Sequence, residues 1–182
     1  MENMKQKISD FAHNVAVIVL IIMFTFGNTV VPAQALIVTP QLNTEQQNEK
    51  TLEKFSNTVY KPSEMLSDTE LKNLLKAVGF EGTALKKAWA IAKAESNGRP
   101  MAYNGNRNTG DSSYGIFQIN MLGKLGIDRK EKFELKSNIL LFDPVINAEI
   151  TYYMTQGGTD WSSWSSHTTG AVNKWLGKFP SQ

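Results

Sequence analysis

The sequence predicts one mainly α-helical domain with a small β element, and three observations carry that expectation. Apolar residues recur with the helical period, between recognisable caps, over residues 67–79, 83–96 and 143–154. Between the second and third of these lies a turn-dense stretch, Asn104 to Ser113, followed by the alternating residues "YGIFQIN". The chain has 182 residues, 41% hydrophobic and 20% charged, which suits one ordinary domain with some length left over.

The totals exclude several kinds of function. A net charge of +2 gives no argument for nucleic acid and is at most compatible with an anionic partner such as a cell wall. The absence of cysteine removes disulfides, thiolate zinc sites and a cysteine nucleophile. His13 and His167 are the two histidines, which argues against a multi-histidine metal site, and nothing calls for an organic cofactor.

Taken in order, residues 1–35 read as a secretory signal peptide. Lys5 and Lys7 precede the apolar run "VAVIVLIIMFTF", and Ala33-Gln34-Ala35 offers a cleavage site. Glu2 and Asp10 offset the lysines and apolar residues recur to Val38, so an uncleaved membrane anchor is the alternative. Residues 36–66, rich in Gln, Asn, Thr, Glu and Lys, read as a polar linker, and the folded domain is expected over 67–182.

"SDTELKNLLKAVG" forms the first helix of that domain. Ser67 and Glu70 make a capping box, Leu71, Leu74, Leu75 and Val78 share a face, and Gly79 supplies the left-handed stop. "TALKKAWAIAKAES" follows, opened by Thr83 and closed by Gly98 and Pro100. Leu85, Ala88, Trp89 and Ala92 cluster on one side, and Glu95 joins the edge of that apolar side. The turn-dense stretch and "YGIFQIN" predict a small β-hairpin. Asp143 as N-cap and Pro144 at the first helical position open a further helix, "FDPVINAEITYYM". The tail, with three of the four tryptophans, is expected to end in one short helix.

Glu95 is the residue with chemical promise. A carboxyl half-removed from water has a raised pKa, so it can keep a proton near neutrality and give it to a leaving oxygen. Glycoside cleavage needs that step, since an alkoxide leaves poorly. The plainer reading is a helix-end glutamate turned to solvent. The other conspicuous residues also have two readings. Tyr103, Asn104 and Asn106 can bind sugar hydroxyls, or simply turn the chain. Trp161, Trp164 and Trp175 can stack on sugar faces but read first as core or loop anchors, and His167 reads as structural before it reads as a base. Lys124, Arg129, Lys130 and Lys132 form a basic segment that can meet anionic wall polymers, with a solvated face as the default.

Four stretches carry a resemblance: "AIAKAESNGRPMAYN", "SSYGIFQIN", "FDPVINAEITYYM" and "WSSWSSHTTGAVNKWL". Together they resemble the lysozyme-like superfamily, closest to its soluble lytic transglycosylase and goose-type lysozyme branch and to compact bacteriophage cell-wall lysin domains. The resemblance implies an α+β lysozyme-like fold, a helical domain with its β-hairpin beside an active-site cleft. It implies cleavage of the β-1,4 bond between N-acetylmuramic acid and N-acetylglucosamine in peptidoglycan. Glu95 would be the general acid, with Ser96 helping to hold it. The implied substrate-binding set is Ser96, Tyr103, Asn104, Asp111, Ser113, Tyr114, Gln118 and Asn120.

Two departures qualify the resemblance. Animal-type lysozymes carry an aspartate just before the matching tyrosine, where this chain has Ser113. Asp111 is either a displaced second carboxylate, giving a hydrolase, or an ordinary turn residue. In the second case the chain resembles lytic transglycosylases, which use a single acid and form a 1,6-anhydro end. Relatives often carry a tyrosine in a final Gly-Ala-Tyr element, whereas this chain has Val172 there, leaving Tyr103 or Tyr114 as substitutes beside Glu95. A catalytically idle glycan-binding or virion-structural module is the alternative of another class. The implied partner is the glycan strand of peptidoglycan, with membrane contact only through the N-terminal segment. The implied location is exported (periplasmic, extracellular or wall-associated), or inner-membrane anchored if that segment stays.

Overall fold

The computed structural model describes residues 43–181, so the signal peptide or anchor expected at 1–35 lies outside the described residues. The order of elements is α1 (Thr44–Ser56), α2 (Asp68–Val78), α3 (Gly82–Ser96), β1 (Tyr103–Asn104), β2 (Ser113–Tyr114), β3 (Ile119–Asn120), α4 (Gly123–Lys132), α5 (Pro144–Met154), α6 (Ser165–Thr168) and α7 (Asn173–Leu176). Short 3-10 turns occupy Arg107–Thr109 and Asn138–Phe142. The architecture is the mainly α class expected, with a three-stranded antiparallel sheet, β1-β2-β3, in place of a simple hairpin. Among the described residues no helix is long and apolar enough to cross a membrane.

Within the polar linker expected at 36–66, the described residues Thr44–Ser56 form the helix α1 instead. Asn43 and Gln46 form a reciprocal capping box at its start, and Phe55 near its end is buried in the common core. The Ser56 hydroxyl donates to Asp143 Oδ2, while Asp143 Oδ1 accepts the Val145 N–H at 2.8 Å, so one carboxylate ties α1 to the cap of α5. The polar composition of the segment hides an apolar pair, Leu52 and Phe55, three residues apart on one helical face.

The caps of α2 and α5 occur where the sequence places them. Ser67 and Glu70 exchange both capping-box hydrogen bonds and Gly79 takes a left-handed conformation after α2. Pro144 follows the Asp143 cap of α5. Helix α3 starts a residue ahead of Thr83, because the Glu81 carbonyl already accepts the Leu85 N–H. The basic segment 124–132 is the helix α4, and the tail forms two short helices.

The core is aromatic at its centre. Phe80 lies 6.2 Å from Trp161 and 6.5 Å from Phe117 between ring centroids, with Tyr152 meeting Phe80 edge-on at 4.9 Å. Trp89, fully buried on α3, donates its indole N–H to the Asp68 carbonyl.

The stretch "YGIFQIN" departs from a continuous strand. Tyr114 ends β2, Gly115 to Gln118 make a tight buried turn, and Ile119 starts β3. Gly115 (φ +75°) and Gln118 (φ +50°) both take left-handed conformations. A Cβ at Gly115 would overlap the Asn147 amide and the Leu141 carbonyl, so the position demands glycine for space as well as for φ. Burying a turn requires partners for its backbone, and side chains supply them. Asn147, fully buried on α5, accepts the Phe117 N–H and donates to the Tyr114 and Leu141 carbonyls, each at 2.9 Å. The Ser96 hydroxyl donates to the Ile116 carbonyl at 2.7 Å, and the Trp164 indole to the Phe117 carbonyl at 2.9 Å.

Replacing Asn147 by Leu keeps the branched shape and removes three hydrogen bonds to the backbone, at about 1–3 kcal/mol for each group left buried without a partner. Urea unfolding of Asn147→Leu should therefore show a loss of roughly 3 kcal/mol or more, and an unchanged midpoint would contradict this account of the turn.

Candidate active-site cleft

Glu95 is the penultimate residue of α3, and the wheel position read from the sequence leaves it half-buried at the edge of the core. It opens into a cleft of about 370 Å³ between the sheet and the segment that leads into α6. Carboxylate atom Oε1 is buried and has no hydrogen-bond partner. Burial pushes the Glu95 carboxyl above its ordinary value, and the Ser166 hydroxyl and N–H draw it partly back, while the charge of Asp111 raises it further. Ser166 lies near without closing a hydrogen bond: its Oγ is itself buried and unpartnered. The C-terminal end of α3 carries the negative pole of the helix dipole, which also disfavours an ionised carboxylate there.

The sheet sorts the expected site residues by face. Register pairs Asn104 with Ser113 and Ser113 with Asn120, and all three line the cleft as one cross-strand row. Tyr103 pairs with Tyr114, one residue out of step, and strand alternation turns that pair away. Their rings lie 4.9 Å apart, with Tyr114 packed 5.4 Å from Phe142. Tyr103 and Tyr114 are therefore placed outside the cleft lining that holds Glu95. Neither takes the place expected of a tyrosine beside the acid, where Ser166 sits instead, and Val172 is buried.

Ser96 also differs from expectation. Its hydroxyl accepts the N–H groups of Gly98 and Arg99 and donates to Ile116, which caps α3 and pins the buried turn to it. It makes no bond to Glu95; being next in sequence, it faces another side of the helix. Gln118 lines the cleft, its Nε2 donating to the carbonyls of Ala102 and Gly115. Asn120 also lines it, with Nδ2 donating to the Gly110 carbonyl and Oδ1 accepting the Leu122 N–H. Asp111 reaches the same cleft, and both its oxygens accept hydroxyls, from Thr109 at 2.7 Å and Ser113 at 3.4 Å.

The far wall is made by residues outside the expected substrate-binding set. Ser163, Trp164 and Ser165 line it, along with Met154 at the end of α5. Trp164 combines the anchoring role expected for it with a place on the cleft surface. Arg129 lines the cleft from α4, half-buried, where the sequence suggested a solvated face. The tandem "WSSWSS" was a readable signal, since serines between bulky anchors mark a tight polar segment. Nothing local marked Arg129 apart from its three basic neighbours. Among the described residues no group of three or more His, Asp or Glu side chains converges as a metal site would require.

A family model described as "Lysozyme like domain" matches residues 72–166, just over half the chain, and this span contains every cleft residue named above. The chain is also similar to the milk isozyme of lysozyme C from Canis lupus familiaris, 41% identical over 59 residues. That alignment covers 31% of this chain and 46% of the relative, so the chain spans less than half the length of the curated relative it matches. No solved structure matches it significantly.

The unpartnered carboxylate has a thermodynamic signature. A carboxyl whose folded pKa is raised favours the protonated state, so its contribution is fully present below the unfolded pKa and is lost as pH rises through the folded pKa. Glu95→Gln, which stays neutral, should raise the melting temperature at pH 8 and converge with the parent below about pH 4. A variant less stable than the parent at pH 8 would show that the ionised carboxylate is well solvated.

Proposed function

The chain belongs to the lysozyme-like domain family, and we propose that it cleaves peptidoglycan at the β-1,4 bond between N-acetylmuramic acid and N-acetylglucosamine, with Glu95 as general acid. The observation that carries this reading is the buried, unpartnered Oε1 of Glu95 at the wall of a polar cleft. A carboxyl held there keeps its proton to higher pH and can deliver it to the glycosidic oxygen. The row Asn104, Ser113, Asn120 presents amide and hydroxyl groups of the kind that bind sugar hydroxyls and acetamido groups. Export fits the substrate, which lies outside the cytoplasmic membrane, and residues 1–35 would supply the signal.

The finer reading is a lytic transglycosylase. Glu95 protonates the leaving oxygen as the C1–O bond breaks, and the acetamido carbonyl of the muramic sugar stabilises the cation at C1. The Glu95 carboxylate then takes the proton of the 6-hydroxyl as that oxygen bonds to C1, which closes a 1,6-anhydro ring and restores the acid. The position of Asp111 supports this reading, since both its oxygens already accept hydroxyls. A hydrolase is the second reading, favoured by Asp111 reaching the same cleft and acting electrostatically on Glu95.

Purified protein incubated with isolated peptidoglycan should release muropeptides with 1,6-anhydro ends, lighter by one water than reducing ends. Reducing ends would assign the hydrolase, and Asp111→Asn would then lose activity steeply. Glu95→Gln should lose roughly 10²–10⁴-fold in rate. The parent rate should fall as pH rises through the raised pKa of Glu95. Equal, negligible release by parent and variant would overturn catalysis in favour of a binding module.

A further inference from the structure

Among the described residues Arg129 is the cationic side chain that lines the Glu95 cleft, and its surroundings are unusual for an arginine. Helix α4 follows β3 almost at once, and a Cβ at Gly126 would overlap the Met121 carbonyl, so only glycine lets this helix face close on the sheet. Arg129 lies three residues further along the same face. Its side chain is thereby laid against the end of β3, where Nη1 donates to the Asn120 carbonyl. A guanidinium has five N–H donors, and among the described residues no other acceptor takes one from Arg129.

Among the described residues no carboxylate compensates it, and the ion pair they form joins Lys93 to Asp68, away from the cleft. Burial lowers the Arg129 pKa with no anion opposing the shift, although a guanidinium remains charged throughout. A half-desolvated, immobilised, unpaired cation is unfavourable in the empty cleft and becomes favourable when an anion arrives.

The amides and hydroxyls of Asn104, Ser113, Gln118 and Asn120 are adequate for a neutral sugar. They do not account for a fixed positive charge. Asp111, which reaches the same cleft, would also repel an anionic strand unless a cation offset it.

We propose that Arg129 is a specificity-determining residue that receives a carboxylate of the glycan strand, belonging either to the lactyl ether of muramic acid or to the peptide stem attached there. This rests on the reading of the cleft as a peptidoglycan site. Such a carboxylate recurs on every second sugar. Anchoring it to a residue fixed at the end of β3 sets the register of the strand, and so selects which of the two alternating β-1,4 bonds faces Glu95.

The test uses the full chain carrying Glu95→Gln and measures Kd by calorimetry. Its ligands are an N-acetylmuramic acid–N-acetylglucosamine tetrasaccharide with free lactyl carboxylates, its methyl ester, the stem-bearing form with and without esterified stem carboxylates, and the fully N-acetylated chitotetraose. A free carboxylate should bind about 10- to 100-fold more tightly than its ester. The pair showing the gap identifies the lactyl or the stem group. Arg129→Met and Arg129→Gln, the latter keeping a donor for the Asn120 carbonyl, should each close the gap. Equal binding of acid and ester in both pairs overturns the proposal, as does a gap that survives both substitutions. Because the ligand-side comparison uses intact Arg129, it is decisive even where a substitution unfolds the chain. Failure of every ligand, chitotetraose included, would overturn the peptidoglycan reading itself, whereas binding without charge preference overturns only the role of Arg129.

Discussion

The carboxamide of Asn147 is the interaction on which the remaining geometry depends. It lies fully buried on α5 and satisfies one backbone N–H and two carbonyls in two different loops. The contacts to Phe117 and Leu141 are buried from water, so no other partner can replace the amide there at low cost. The turn between β2 and β3 is thereby held inside the protein, and its other backbone groups are met by Ser96 and Trp164. Those two side chains belong to the two walls that flank Glu95. A single buried amide thus fixes the spacing between the helix that carries the acid and the segment that faces it. The demand for glycine at position 115 is the steric counterpart of the same contact.

Asn147 and Ser96 of the scaffold differ from Glu95, Ser166 and Arg129 in how complete their hydrogen bonds are. Asn147 and Ser96 are saturated by backbone partners. Glu95 Oε1 and Ser166 Oγ are buried without partners, and Arg129 uses one donor of five. Incomplete satisfaction costs stability, and it is tolerable because the saturated scaffold around it leaves no lower-energy rearrangement. The same incompleteness is what a ligand can complete. The proposed proton donation by Glu95 and the proposed anion capture by Arg129 rest on one shared property, since both groups line the cleft and are short of partners.

Some of this organisation was legible from the residues. The capping box of Ser67 and Glu70, the Asp143-Pro144 start of α5 and the glycine stop of α2 are signals contained within a single turn of chain. The placement of Glu95 on the apolar edge of α3 follows from spacing alone, because helical periodicity is local. The mainly α class with one small sheet followed from the same patterns. By contrast, α1 was hidden because polar composition masked a two-residue apolar face whose value depends on what it packs against.

The sequence by itself therefore determined the principal helices of the domain, their caps, and a carboxylate at the boundary between core and solvent. The tertiary structure decided which groups meet that carboxylate. It placed Ser166, 71 positions away, beside Glu95, turned Tyr103 and Tyr114 to the opposite face of the sheet, and drew Arg129 out of a basic run into the cleft. The physical reason is the range of the signals. Periodicity and capping act between residues three or four apart, whereas strand register, close glycine contacts and buried amide bonds join segments distant in the chain, and only their joint packing selects one arrangement.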